Sequence, residues 1–481
     1  MSPHQPEGPS TDVHRTARRV WCGTAVAACI LWGGLDLAAQ TAVLTTARVQ
    51  GPGLFGRSLA IDGDYALVGA PGDANPANYT GSVLVYHRVQ GVWREEQKLS
   101  GAGGALLDYF GQSVAIAGKV AVVGAPAPLS KTNPTGTVHV FRHNGTSWVE
   151  EASFQRGQGF GSAVAIDGNR IVVGAPMTRL PSFDGAGAVW VFEHSGNTWA
   201  QQAMLVAGDA STSDHFGTSV AIEGDHILVG APTEGDSANL SAIGSMYAFH
   251  YVNGTWSQTQ KLRASAAAEQ SFFARRIAID NGVALVGAHG KKAGGYWASG
   301  QAYVFKLGTA GWVETQVLNT PWPATNTQFG LSVAISGDLL CVYARGRDGK
   351  GNTGGAVHPF RWDGQRYAAE PPFQQATPLN QEEGFGDELA ASGSTLLAAA
   401  YIQNAPPLVE GSVFVFDTAP RFHTWVQPMP IVVRDTAKLA LRQGIAGSPM
   451  LLCFGFSGTT HIPLPWPGSS IDIVSPLVVG V

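Results

Sequence analysis

Charged side chains are scarce in this chain of 481 residues: Lys, Arg, Asp and Glu together make 14%, against about 25% in an ordinary soluble domain. With so few charges and 44% hydrophobic residues, the chain is not a disordered one. Lys, Glu and Leu are too thin for a helical bundle or coiled coil. The net charge is −5 with both signs scattered, so there is no basic stripe and no nucleic-acid partner is expected. Cysteine is nearly missing. Of four, Cys22 and Cys29 fall in an N-terminal apolar stretch, and Cys341 and Cys453 lie far apart with no CxxC. That removes a zinc knuckle or redox motif, and two buried free thiols are expected. No long apolar run follows the first forty residues, so no later helical membrane span is expected. The sequence also lacks G-x-S-x-G, HExxH, a P-loop, a dinucleotide fingerprint and an EF-hand. The 13 histidines are dispersed. The reading is that the protein is not an enzyme.

Glycine is abundant, 61 residues or nearly twice the usual ~7%, and 13 tryptophans accompany it. Short strands and tight turns suit that composition. At the N-terminus, Arg15, Arg18 and Arg19 precede an apolar run from Val20 to about Leu35, and Ala38 and Ala39 follow. This is the order of a secretory signal. It predicts a signal peptide over 1–39, cut at Ala39–Gln40. The run is broken by Gly33, Gly34 and Asp36, short of the ~20 residues of a span.

Phe-Gly recurs at Phe55, Phe110, Phe160, Phe216, Phe329 and Phe385, with Phe273-Ala274 in the one gap, at intervals of 50 to 57 residues. A period of that length marks a repeat architecture. Each Phe-Gly opens a short alternating segment, such as Ser58-Leu59-Ala60-Ile61, with an alanine five residues after every Phe. The alternation is that of a strand, and the invariant small residue suits a crowded innermost one. A Gly turn follows, as in Asp62-Gly63, favourable for a two-residue hairpin. The second strand ends in Gly-Ala-Pro at 69–71, 124–126, 174–176 and 230–232, and in decayed versions afterwards. A third strand opens with Gly and closes with an aromatic. A fourth begins near Trp93, Trp148, Trp199, Trp256, Trp312 or Tyr367. Those tryptophans hold one register and are read as blade packing.

Four strands per unit and seven units describe an all-β, seven-bladed β-propeller of four-stranded blades. The seventh unit lacks a fourth strand, and Thr41–Val49 is strand-like. The N-terminal strand is therefore expected to close the ring. The chain resembles FG-GAP repeat proteins, whose repeats build the seven-bladed propeller of integrin α-subunits, and is most similar to the bacterial exported type. The resemblance implies adhesion or recognition outside the cytoplasm. It departs from the integrin pattern where a calcium loop would stand between the first two strands. There the sequence has only a tight turn such as Asp62-Gly63-Asp64, too short to wrap six or seven oxygen ligands. No cofactor is expected, and calcium only in loops such as Asp209–Asp214.

The longer connections, between second and third strands and between blades, share one face and differ in every repeat. Variable loops on a rigid scaffold are where binding resides. The candidate ligand-binding residues are Asp73, Arg179, Asp184, Asp236, Lys291, Lys292, Tyr296, Trp297, Arg347 and Asp348. The fifth loop is the sharpest, with two lysines, glycines and Tyr296-Trp297, since aromatic faces beside hydrogen-bonding groups stack on sugars or anchor a protein contact. The expected organisation is a propeller over 40–419, a linker over 420–430 and a small β-rich C-terminal segment over 431–481, which can be an incomplete unit. A secreted or cell-surface monomer with an extracellular protein or glycan partner is expected. A lectin-like propeller is the alternative, and an enzyme with a site at the axis a further one.

Overall fold

The computed structural model describes residues 40–419 except 47, 50–52, 75–79, 102–107, 127–134, 237–240, 266–269, 346–354, 374–384 and 401–410. It also describes short strands at Arg442–Gln443, Pro449–Met450, Thr460–Pro463 and Ser470–Ile473. The expected signal peptide and linker lie outside the described residues. The four C-terminal strands form two antiparallel pairs, 442–443 with 449–450 and 460–463 with 470–473.

The unit spanning Leu35–Pro420 is a propeller of seven four-stranded antiparallel sheets. In blade 1 the strands are Ser58–Asp62, Tyr65–Ala70, Ser82–Val89 and Val92–Leu99. Blades 2 to 6 repeat this order over 113–156, 163–205, 219–262, 277–318 and 333–369. Blade 7 supplies three strands, Leu389–Ser392, Thr395–Ala400 and Ser412–Asp417. Its outer strand is Gln40–Leu44 from the other end of the propeller, antiparallel to Ser412–Asp417. Leu44 is 3% exposed. The ring is thus closed by backbone hydrogen bonds between the ends of the fold, as the missing fourth strand of the seventh unit predicts.

The repeated residues make the core and the joints between blades. Each Phe of the Phe-Gly pair is buried, and its ring meets the aromatic closing the third strand of its own blade. All seven pairs have ring centroids 5.9–6.4 Å apart, Phe55 with Tyr86 being the widest and Phe385 with Phe416 the closest. Full burial of such a ring contributes about 1.5–3 kcal/mol, repeated once per blade. The glycine opening each third strand lies against the next blade's Phe. A Cβ at Gly187 would stand 2.1 Å from the Phe216 carbonyl oxygen, and one at Gly411 would stand 2.0 Å from that of Phe55, across the closure. The outer strands are clamped too. Gln97 accepts from the Trp148 N–H and donates to its carbonyl, both at 2.8 Å. Gln260 with Trp312 and Gln316 with Tyr367 repeat that clamp.

The Asp-Gly turn has a similar use. The Asp62 carboxylate accepts from Gly118 N–H of the next blade at 2.6 Å. Asp167 does so from Gly224, Glu223 from Asn281 and Gly282, and Asp280 from Gly337. The acids ending the inner strands are therefore ties from blade to blade. Cys341 is fully buried and free, its thiol pushed up in pKa by burial; Cys453 lies outside the described side chains. Among the described residues no helix is long and apolar enough to cross a membrane.

Candidate functional site

The Phe-Gly end of each inner strand lies on the same face as the long second-to-third-strand connections, because strands in a blade alternate in direction. Two of these connections are ordered hairpins of one design. In blade 3, Leu180 and Phe183 exchange backbone hydrogen bonds at 3.0 and 3.1 Å. In blade 5, Ala293 and Tyr296 do so at 3.2 and 2.9 Å. Gly294 and Gly295 turn the blade 5 tip at φ of 59° and 87°, a conformation glycine adopts without a side-chain penalty. Each hairpin is fastened to the following blade connection. Asn326 and Gln328 donate to the Trp297 and Ala298 carbonyls, as Ser213 and His215 do to Asp184 and Gly185.

This register makes Arg179 equivalent to Lys292, and Asp184 equivalent to Trp297. In blade 3 the pair is an ion pair, Arg179 Nε to Asp184 Oδ1 at 2.7 Å, with both side chains mostly exposed. Their charges therefore neutralise one another at the tip. In blade 5 the pair is a cation on a ring: Lys292 Nζ lies 4.7 Å from the centroid of Trp297. Trp297 is 60% exposed and Tyr296 44%. Trp322, at 36%, stands in the connection alongside, where Pro323 abuts Gly294. The sequence reading did not single out Trp322; its flanking prolines in Pro321-Trp322-Pro323 are the signal that was available.

Other candidates stand elsewhere. Asp73 is fully buried, accepting from Ser82 Oγ at 2.6 Å and paired with Lys98 Nζ at 2.6 Å. Glu234 repeats this in blade 4, with Ser245 Oγ at 2.6 Å and Lys261 Nζ at 2.9 Å. Both carboxylates fasten the start of the third strand to the fourth strand rather than line an open loop. Lys291 occupies the same place in blade 5 and is 9% exposed, with burial lowering its pKa. It is part of the hairpin's base, leaving Lys292 as the presented cation. Asp236 stands on a two-residue strand paired with Ser241. Arg347 and Asp348 lie outside the described residues.

The stretch Asp209–Asp214, the place left open for calcium, holds a lysine. Lys261 Nζ contacts the Asp209 carboxylate as well as Glu234, while Arg263 binds Glu234 through both carboxylate oxygens at 2.8 and 2.9 Å. Asp214 is 3% exposed and accepts from Ser211 N–H; burial, with Glu234 and Asp209 nearby, pushes its pKa up to about 6.

The recurrent tryptophans are structural. Trp148 and Trp312 are 2% exposed and Trp256 is 7%. Trp199 and Trp256 also donate through Nε1 to Glu151 and Gln202 of the preceding blade. The FG-GAP repeat family matches six segments, residues 39–86, 93–141, 155–192, 199–249, 256–305 and 312–360. The seventh blade, with Phe385-Gly386, completes the ring they begin. With more than half its length matched repeat by repeat, this chain belongs to the FG-GAP repeat family.

Proposed function

We propose that this protein is an exported, non-catalytic recognition or adhesion protein that contacts an extracellular protein or glycan through the loop-bearing face of its propeller. The observation carrying this reading is the blade 5 hairpin: two exposed aromatics and an exposed lysine on a glycine turn that the neighbouring connection fixes by backbone hydrogen bonds. Fixed aromatic surface costs little conformational entropy on binding, which is why such residues dominate hot spots. Tyr296 and Trp297 offer ring faces to a sugar or to an apolar side chain, and Lys292 offers a donor beside them. The seven connections differ in sequence, which favours one composite contact surface over equivalent sugar pockets between blades. A lectin-like role is the second reading, and the same hairpin supports it, since sugar rings stack on exposed indole.

The test is binding of the 40–481 product to a broad glycan array and to proteins of the native cell surface, with calcium and with chelator, beside Trp297→Ala. The reading expects saturable binding that falls at least tenfold in the variant at unchanged thermal stability. Binding that is equal in the variant removes the hairpin from the contact.

A further inference from the structure

We infer that the axial mouth on the loop-bearing end binds a small carboxylate-type monoanion. The inner strands pair on one side only, and their free edges line a channel of about 470 Å³ along the propeller axis. Its wall at the Phe-Gly end includes the second and third residues after the Phe. Blades 1 to 4 have Arg57-Ser58, Gln112-Ser113, Ser162-Ala163 and Thr218-Ser219 there, blade 5 has Arg275-Arg276, and blade 7 has Glu388, with Asp387 just behind it in sequence. In blades 1, 2 and 4 the serine at the third position donates to the next blade's backbone, as Ser58 does to Gly111 at 2.7 Å. In blades 5 and 7 that place is charged. Arg276 and Glu388 pair with each other at 2.7 Å, spanning blade 6.

Arg57, Arg275 and Arg276 then converge with Glu388 and Asp387, and Arg345 stands by Asp387, so the cations outnumber the carboxylates. An unpaired charge lies on Arg275. Its charged neighbours are Arg276 and Arg57, and among the described residues no carboxylate pairs with it. Arg275 is walled by protein, which with those two cations lowers its pKa, yet its surface is open to the channel's solvent. Beside it, His289 Nδ1 is buried with no hydrogen-bond partner among the described residues, and burial, with Arg275 and Arg276 nearby, holds that imidazole neutral, its pKa lowered to about 4. A planar guanidinium with donors to spare matches a carboxylate in two parallel hydrogen bonds. Bringing an anion there also relieves the repulsion among the three arginines. This site is separate from the blade 5 hairpin and does not depend on the hairpin's role.

The probe is acetate, titrated against chloride at constant ionic strength, read by the melting temperature and by calorimetry. The wild type is expected to show a saturable rise in melting temperature, because a ligand that binds only the folded state stabilises it by mass action. Arg275→Gln is expected to lose the rise, Arg275→Lys to keep it at several-fold weaker affinity, and Glu388→Gln to strengthen it by freeing Arg276. Should Arg275→Gln fold poorly, Arg57→Gln serves as the second variant and is expected to weaken binding at least threefold. No saturable effect in the wild type overturns the site, as does an equal effect in the Arg275 and Arg57 variants, the mark of a general salt effect.

Discussion

Gly174 of blade 3 lies against the Gly217 carbonyl of blade 4 so closely that a Cβ on Gly174 would stand 2.0 Å from that oxygen. Gly174 belongs to a Gly-Ala-Pro and Gly217 to the next Phe-Gly. The two halves of the repeat signature are therefore one joint between neighbouring blades. The same approach recurs from Gly69 to Gly111, Gly124 to Gly161, Gly230 to Ala274 and Gly287 to Gly330, at 2.0–2.2 Å. Blade 6 departs from it: Tyr343 replaces the glycine, and its ring fills the space under Gly386.

Glycine substitutions should therefore divide sharply. Gly174→Ala forces backbone apart at a joint between blades and is expected to cost more than about 3 kcal/mol, in the range of severe packing defects. Gly63→Ala, with nothing within 4 Å and a φ of +56°, meets only backbone strain and should cost about 1 kcal/mol. Chemical denaturation of the two variants checks the ranking, and equal losses would remove the joint from the account.

The closing strand gives a second test. Leu44 is 3% exposed and packs with Val413 and Val415 in the core shared by the first and last blades. Leu44→Ala should cost about 2–4 kcal/mol. Deleting residues 40–44 leaves the edge of Ser412–Asp417 unpaired, and an open edge recruits another chain. Size-exclusion chromatography should show self-association of the deletion and a single species for Leu44→Ala.

Two buried groups should bend the pH–stability curve in opposite directions. Asp214 has its pKa raised to about 6 by burial, so the folded state holds the proton more tightly and stability falls as pH rises from about 4 to 6. His358, 3% exposed against Trp322 and Phe329, has its pKa lowered to about 4 by burial. Its contribution is present above the unfolded value near 6.5 and is lost as pH falls toward 4. Asp214→Asn should make stability rise more steeply with pH over 4–6, and His358→Gln should flatten it, each by about 1–2 kcal/mol across the window. Melting curves at half-unit pH steps read both.

Lys261 bridges the Asp209 and Glu234 carboxylates. Chelator and added calcium are expected to leave the melting temperature of the wild type unchanged. Lys261→Met should lower stability by about 1–2 kcal/mol, since Glu234 keeps Arg263 and Ser245 while half-exposed Asp209 keeps the Tyr247 hydroxyl but loses its cation. A calcium-dependent rise in the wild type would show a cation site that this lysine does not fill.

The repeat period, the four-strand unit, the count of seven and the borrowed closing strand were all legible in the sequence, because each rests on local pattern repeated many times. Alternation marks a strand, Gly-containing pairs mark hairpins, and a unit one strand short implies a donor elsewhere. The packing role of the tryptophans was legible for the same reason. Which loop residues are presented was not. Asp73 and Lys292 look alike as polar residues in variable loops, yet the fold buries Asp73 against Ser82 and Lys98 and places Lys292 on an exposed indole. The convergence of Arg57, Arg275 and Arg276 was equally hidden. Arg57 is about 220 positions from the other two in sequence, and only closure of the ring brings their charges to one mouth. Periodic hydrophobic burial is a local property that the sequence determines by itself; the neighbours of a side chain at the axis or on a loop depend on how seven blades close, which only the tertiary structure decides.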